Sequence, residues 1–267
     1  MDLNYILIAI IFFLFGLCFG SFLNVVVYRL PIKKSLSEPP SSCPSCENRL
    51  GIVELIPLLG YLLLRGRCRH CGIRISARYP MVELAVGILF VLSYAHFGLS
   101  INTVFYLILF FILLAVALID LEHRIVPNTL VAYGLGAGIL FYIPAAADLL
   151  LVMPSWLVVD RAVADAAGGF LLGGAVMLVI LLVSRGGMGA GDMKLMALIG
   201  LYVGLRGAAV VMLLGFFFGA VVGLTFMALG KLTRKDALPF APYLSLAGLI
   251  QVLWGEQIWD WYMNLLN

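Results

Sequence analysis

Eight stretches of apolar sequence, each nearly free of charge, leave this chain few ways to fold. The first, 5–27, is long enough to cross about 30 Å of hydrocarbon as one helix. Others cover 82–97, 101–119, 129–147, 163–183, 194–205, 207–230 and 240–254. In lipid the backbone must satisfy its own polar groups, so runs of this length are expected to be helices. Charged residues are 12% and hydrophobic residues 63% of the chain, against about a quarter charged in a soluble domain. A single water-facing core is thereby excluded. Only Asp2 precedes the first run, with no basic leader and no clear small-residue cleavage site. A retained helix is therefore expected rather than a removed signal peptide.

Charge orients the helices. With the N-terminus outside, fifteen of the seventeen basic residues fall on inner segments, and only Arg161 and Arg206 fall outside. The opposite orientation reverses the rule. The run 194–205 spans about 18 Å as a helix, short for a crossing. It is kept as one because otherwise Lys231, Arg234 and Lys235 move outside. Flanking glycines and shielding by neighbours are expected to accommodate it. The expected architecture is an all-α polytopic membrane protein. It has about eight transmembrane helices and a small cytoplasmic zinc-binding domain between the first two. The domains divide as 1–28, 29–80 and 81–267.

The polar segment 29–80 carries nine basic residues and four of the five cysteines. The cysteines form Cys43-Pro44-Ser45-Cys46 and Cys68-Arg69-His70-Cys71, with 21 residues between the pairs. Two such knuckles suit a tetrahedral zinc site, and four thiolates leave no open position, so the metal is expected to be structural. Two disulfides or a redox pair are the alternative, disfavoured in a reducing compartment. His70 is expected to face solvent and Gly66 to serve the second knuckle's turn. Cys18, alone in the first helix, is expected to be a small packing residue. The basic charge suits anionic headgroups of membrane lipid and also plain topology signalling. No aromatic-basic interleaving points to nucleic acid.

Two aspartates stand at helix mouths, where a carboxylate near hydrocarbon is a functional candidate. Asp120 ends the run 101–119, and Pro127 restarts the chain into the next helix. Asp192 follows Gly186-Gly187-Met188-Gly189-Ala190-Gly191 and opens a helix, as a cap residue does. Capping for Asp192, and a terminal pairing with Arg124 for Asp120, are the simpler readings of each alone. Both on one membrane face favour a pair sharing one proton, with one activating water and the other protonating a carbonyl. A nucleotide loop is excluded: no strand precedes the glycines, and no Lys-Ser or Lys-Thr follows. His96, placed in an outer loop, and His70 and His123 lack an evident serine partner.

These segments together resemble the type IV prepilin peptidases, the bifunctional leader peptidase/N-methyltransferases of pilus and type II secretion systems. The resemblance runs from Phe19-Gly20-Ser21-Phe22-Leu23-Asn24 through Tyr28-Arg29-Leu30-Pro31 and both cysteine pairs. Glu54-Leu55-Ile56-Pro57 and Arg78-Tyr79-Pro80-Met81-Val82-Glu83 belong to it. So do Asp120 with Pro127-Asn128, and Gly189-Ala190-Gly191-Asp192-Met193-Lys194. It implies that Asp120 and Asp192 are the catalytic pair and that prepilins or pseudopilins are the substrates. It implies cleavage at the cytoplasmic face of a bacterial inner membrane, followed by N-methylation from S-adenosylmethionine. Cofactor residues are not readable from spacing. Glu54, Arg78 and Glu83 are candidates because they are polar and flank the matched segments, and an interfacial charge pair is the simpler reading of each. A peptidase without methyltransferase activity and a cation-coupled transporter are the competing functions. Transporters place ionisable residues near the midplane on broken helices, so aspartate depth separates the two classes.

Overall fold

The computed structural model describes residues 3–146, 163–184, 188–231, 233 and 238–266. Arg161, Arg185, Arg234 and Lys235, and the glycines Gly186 and Gly187, lie outside them. Among the described residues there is no strand, only the isolated bridges Ser42 to Arg49 and Arg67 to Arg74. The helices are α1 Leu3–Arg29, α2 Ile52–Leu55, α3 Leu59–Leu63, α4 Arg78–Phe97 and α5 Ile101–His123. They continue as α6 Asn128–Ala146, α7 Val163–Val183, α8 Ala190–Ala228 and α9 Ala241–Leu266. Five of them, α1, α4, α5, α7 and α8, are long and apolar enough to cross a membrane, and α6 is a shorter apolar helix.

The chain divides into two compact units, Met1–Gly98 and Leu99–Asn267. In the first, α1 packs along α4 through small residues. A Cβ on Gly16 would stand 2.7 Å from the Gly87 Cα, and one on Gly20 would stand 2.6 Å from the Glu83 Cα. Without a hydrophobic drive between helices in lipid, such close backbone approach is what association relies on. The Asn24 amide adds a hydrogen bond to the Tyr79 carbonyl at 3.1 Å. Cys18 is exposed on α1, contrary to the packing role expected for it. It lies off the Gly16–Gly20 seam, so the side that faces α4 is occupied by its neighbours. Beyond α1, the Arg29 guanidinium gathers the carbonyls of Ser35, at 3.0 Å, and Pro39, at 2.6 Å, folding the polar segment back on itself. His96 lies within the last turn of α4 rather than in a loop.

In the second unit, α5, α6 and α7 pack against the first half of α8, where Leu195 to Gly204 are buried without interruption. On one side α7 lies so close that Gly169 faces the backbone of Gly200 and Gly204, and Gly173 that of Met196. On another, the Tyr202 hydroxyl donates to the Gly134 carbonyl at 2.9 Å and the Tyr142 hydroxyl to the Leu201 carbonyl at 3.2 Å. Phe105 of α5 stacks on Tyr202, with ring centroids 4.3 Å apart.

The sequence treats 194–205 and 207–230 as separate runs, and the structure has two helical segments within α8 that meet at a non-helical Gly204 (φ 73°, ψ −175°). Glycine reaches that conformation without steric cost. The break frees the Leu205 N–H, which donates to Asp165 Oδ1 of α7 at 2.9 Å. The half-helix before the break starts at Ala190, earlier than the apolar run, and spans about 21 Å. It is short because its neighbours, not lipid, cover it.

Candidate active site and metal centre

Asp120 and Asp192 meet at one end of the second unit. Asp120 sits in the last turn of α5, which closes with Arg124 in a left-handed conformation. It is 5% exposed, and its Oδ2 accepts the Ala241 N–H, at the first residue of α9, at 3.2 Å. Asp192 is 8% exposed in the first turn of α8. There its carboxylate lies close to the Gly189 backbone, and Asp192 stands inside the helix. It is not the N-cap itself, which is Gly189. The two carboxylates are near enough for their charges to act on each other. Arg124 adds a cation to the field at Asp120. His123 is engaged with its neighbour Glu122 at 4.0 Å.

The segments that carry the two aspartates are tied by two contacts. Gly191 lies against Val126, and a Cβ at Gly191 would come within 2.7 Å of the Val126 Cβ. The Lys194 ammonium donates to Asn128 Oδ1 at 2.9 Å, bridging the starts of α8 and α6. Asn128, not Pro127, is the first helical residue of α6. Helix ends of α5, α6, α8 and α9 thus bring their polar groups together at one end of the unit. The contribution of Ala241 was not signalled by any motif. Its only trace in the sequence is Pro239-Phe240-Ala241-Pro242, a proline-flanked helix start.

The cysteines come together as the spacing predicts. Cys43 Sγ lies 3.8 Å from Cys71 Sγ, and Cys46 Sγ lies 3.9 Å from Cys68 Sγ. All four sulfurs fall within 4.8 Å of one another. Four thiolates at 2.3 Å around a tetrahedral ion stand about 3.8 Å apart, so the cluster fits a metal and is too open for disulfides. The two knuckles share one backbone plan. The Glu47 N–H bonds the Cys43 carbonyl at 2.9 Å, and the Gly72 N–H bonds the Cys68 carbonyl at 3.0 Å. Glu47 and Gly72 both take positive φ, at 57° and 72°. The N–H groups of Cys46 and Ser45 bring the Cys43 thiol down to about 6. Those of Cys71 and His70 lower Cys68. Cys71 feels the lowering pull of the Ile73 N–H, yet loss of solvent and the sulfurs around it push it up to about 11. Sulfurs so crowded resist joint ionisation, and a cation resolves the conflict. His70 is exposed, as expected. Gly66 (φ 65°) supports the second knuckle, its carbonyl accepting the Ile75 N–H at 2.8 Å.

The three polar residues weighed for a cofactor have different fates. Glu54 turns back on its own short helix, its Oε2 accepting the Gly51 N–H at 2.6 Å, while its Oε1 is buried without a partner. Arg78, at the start of α4, is half-buried. Glu83 is buried, with its carboxylate engaged by the Leu58 N–H and close to the Ser21 side chain.

Two neighbouring carboxylates at helix ends, among apolar helices long enough to cross a membrane, define the class: a helical membrane protein with a paired acidic site. The comparisons agree in detail. Residues 14–97 match the Bacterial Peptidase A24 N-terminal domain, and residues 107–224 match the Type IV leader peptidase family. A protein of Bacillus subtilis (strain 168) named prepilin leader peptidase/N-methyltransferase is 34% identical over 257 residues, covering 96% of this chain and 98% of its own. Relatives of the same name from Pseudomonas putida and Aeromonas hydrophila are 36% and 35% identical. Each alignment covers 94% of this chain and 92% of the relative. No solved structure matches. This chain belongs to the type IV leader peptidase family and is a multi-pass membrane protein.

Proposed function

We propose that this protein cleaves the leader from prepilins or pseudopilins by an aspartic-protease mechanism and then N-methylates the new N-terminal residue. The observation that carries the reading is the convergence of Asp120 and Asp192 at one end of the bundle, in a chain of this family. One carboxylate takes a proton from water, whose oxygen attacks the scissile carbonyl carbon. The other carboxyl gives its proton to the carbonyl oxygen. When the tetrahedral intermediate collapses, the C–N bond breaks and the leaving nitrogen takes a proton from the pair. The Ala241 N–H holds Asp120 by Oδ2, and the Gly189 backbone lies beside the Asp192 carboxylate. Both aspartates stand within a turn of a helix end, not at mid-helix, which favours proteolysis over the ion transport of midplane sites.

The metal is zinc, held by Cys43, Cys46, Cys68 and Cys71 with no position left for substrate, so it stabilises the fold of 40–75 rather than reacting. S-adenosylmethionine supplies an electrophilic methyl group for the exposed amine. Glu54, with an orphaned buried oxygen, and Arg78 offer complementary charge for a zwitterionic cofactor. The distribution of basic residues along the chain supports a cytoplasmic side, at a bacterial inner membrane with anionic lipid, for this module and for Asp120 and Asp192.

The test is a purified prepilin incubated with the protein and S-adenosylmethionine, followed by mass spectrometry of leader loss and methyl gain. Asp120→Asn and Asp192→Asn are each expected to lower cleavage by at least about 100-fold while the protein still reaches the membrane. Near wild-type cleavage by either variant removes the pair from the mechanism. Cleavage without methylation reduces the function to a peptidase.

A further inference from the structure

One buried carboxylate is not used in the cleavage step above. Glu83, in the second turn of α4, is 8% exposed. Its Oε2 accepts the Leu58 N–H at 2.8 Å, and the Ser21 side chain of α1 lies close to the same carboxylate. Gly20 brings α1 against the Glu83 backbone at this level, so the carboxylate is fixed between the helix pair and the segment 56–58. A charge-bearing group is stable there only while its hydrogen bonds are made.

The backbone it holds is strained. Leu58 has φ 58° and ψ −52°. The Leu59 N–H bonds the Pro57 carbonyl at 2.6 Å, closing a three-residue γ-turn with Leu58 at its centre. The positive-φ form of that turn is rare and strained for a residue with a β-carbon. The N–H that Glu83 accepts is the central one. The turn joins α2, which carries Glu54, to α3. There Gly60 lies so close that a Cβ would stand 2.7 Å from the Val53 carbonyl and 2.8 Å from that of Glu54. Further along, Gly66 rests against the Tyr61 ring just before the second cysteine knuckle. The placement of Glu54 therefore depends on the turn, and the turn on Glu83.

We propose that Glu83 is a positioning residue. It latches the strained Pro57–Leu58–Leu59 turn to the α1–α4 pair, and so holds Glu54 where methyl transfer needs it, while peptide cleavage proceeds without it. The inference rests on the N-methylation reading above. Its physical core, the latch, is independent of any activity.

The test uses the full-length protein in detergent or liposomes, with Glu83→Leu, Glu83→Gln and the double variant Glu83→Leu/Leu58→Gly. Cleavage and methylation of one prepilin are followed together with hydrogen exchange of the peptide covering 52–60. Glu83→Leu is expected to lose exchange protection at the turn. Its methylation should fall by about tenfold or more, with cleavage kept within about twofold. Glu83→Gln retains an oxygen for the Leu58 N–H and should keep most of both. Glycine at 58 adopts positive φ freely, so the double variant should recover methylation in part. Should Glu83→Leu fail to accumulate, recovery of accumulation in the double variant supports the latch and its absence overturns it. Unchanged protection and methylation in Glu83→Leu overturn it as well. Equal loss of cleavage and methylation in Glu83→Leu overturns the separation of the two activities. If the wild type cleaves but never methylates, the functional reading fails, and the exchange experiment alone still decides the latch.

Discussion

Gly191→Ala should damage catalysis without touching either aspartate. The added Cβ would stand 2.7 Å from the Val126 Cβ and 3.0 Å from its Cγ2. Carbon atoms rest at about 3.5–4.0 Å, so the start of α8 and the segment after α5 must separate by roughly 1 Å. Asp192 is one residue beyond Gly191, and Asp120 is six before Val126. The separation therefore falls on the gap between the carboxylates. A misplacement of about 1 Å costs on the order of 100-fold in rate. The accompanying overpacking costs about 1–3 kcal/mol of stability, which leaves most of the protein folded. The expected result is leader cleavage reduced about 100-fold in kcat, with KM changed little, because substrate contacts elsewhere are untouched. Val126→Gly removes the side chain that the added methyl would strike, so the double variant should recover at least about tenfold of the loss. Initial rates of leader removal from a purified prepilin, with a melting curve for each variant, measure both quantities. Wild-type kcat in Gly191→Ala, or no recovery in the double variant, would refute the idea that this contact sets the gap.

Two further outcomes concern the module and the topology. The protein should bind about one zinc ion through sulfur alone, seen by metal analysis and X-ray absorption. Zinc uptake by the metal-free protein at pH 8 should release protons, since Cys71, held near 11, is still a thiol there. The Cys43 thiol is depressed to about 6, so its contribution to metal holding is present at neutral pH and lost as the pH falls through about 6. Nitrogen or oxygen ligands, or uptake without proton release, would count against the all-thiolate site. For topology, a cysteine introduced at Ser100 should react with an impermeant reagent from outside, and one at Arg124 should not. External labelling at Arg124 would reverse the orientation and remove cytoplasmic cleavage with it.

Much of this was legible in the chain. The apolar runs give the helices because lipid offers the backbone no other partner, and the run 163–183 coincides with α7. The cysteine spacing predicts the cluster because a knuckle is a local turn, built within a few residues of each ligand. The glycines before Asp192 and the end of the apolar run at Asp120 mark both carboxylates as lying near helix ends. Tertiary structure decided what depends on contacts distant in sequence. What supports the break at Gly204 is Asp165, 40 residues earlier, accepting the freed Leu205 N–H. That Cys18 is exposed follows from which side of α1 meets α4, and an all-round apolar helix does not reveal that side. The partner of Asp120 is a backbone N–H 121 residues away, and the partner of Glu83 is the N–H of a strained leucine. Backbone donors carry no residue-type signature. The sequence by itself therefore determined which groups are chemically able to act, and only the packed helices determined what holds each in place.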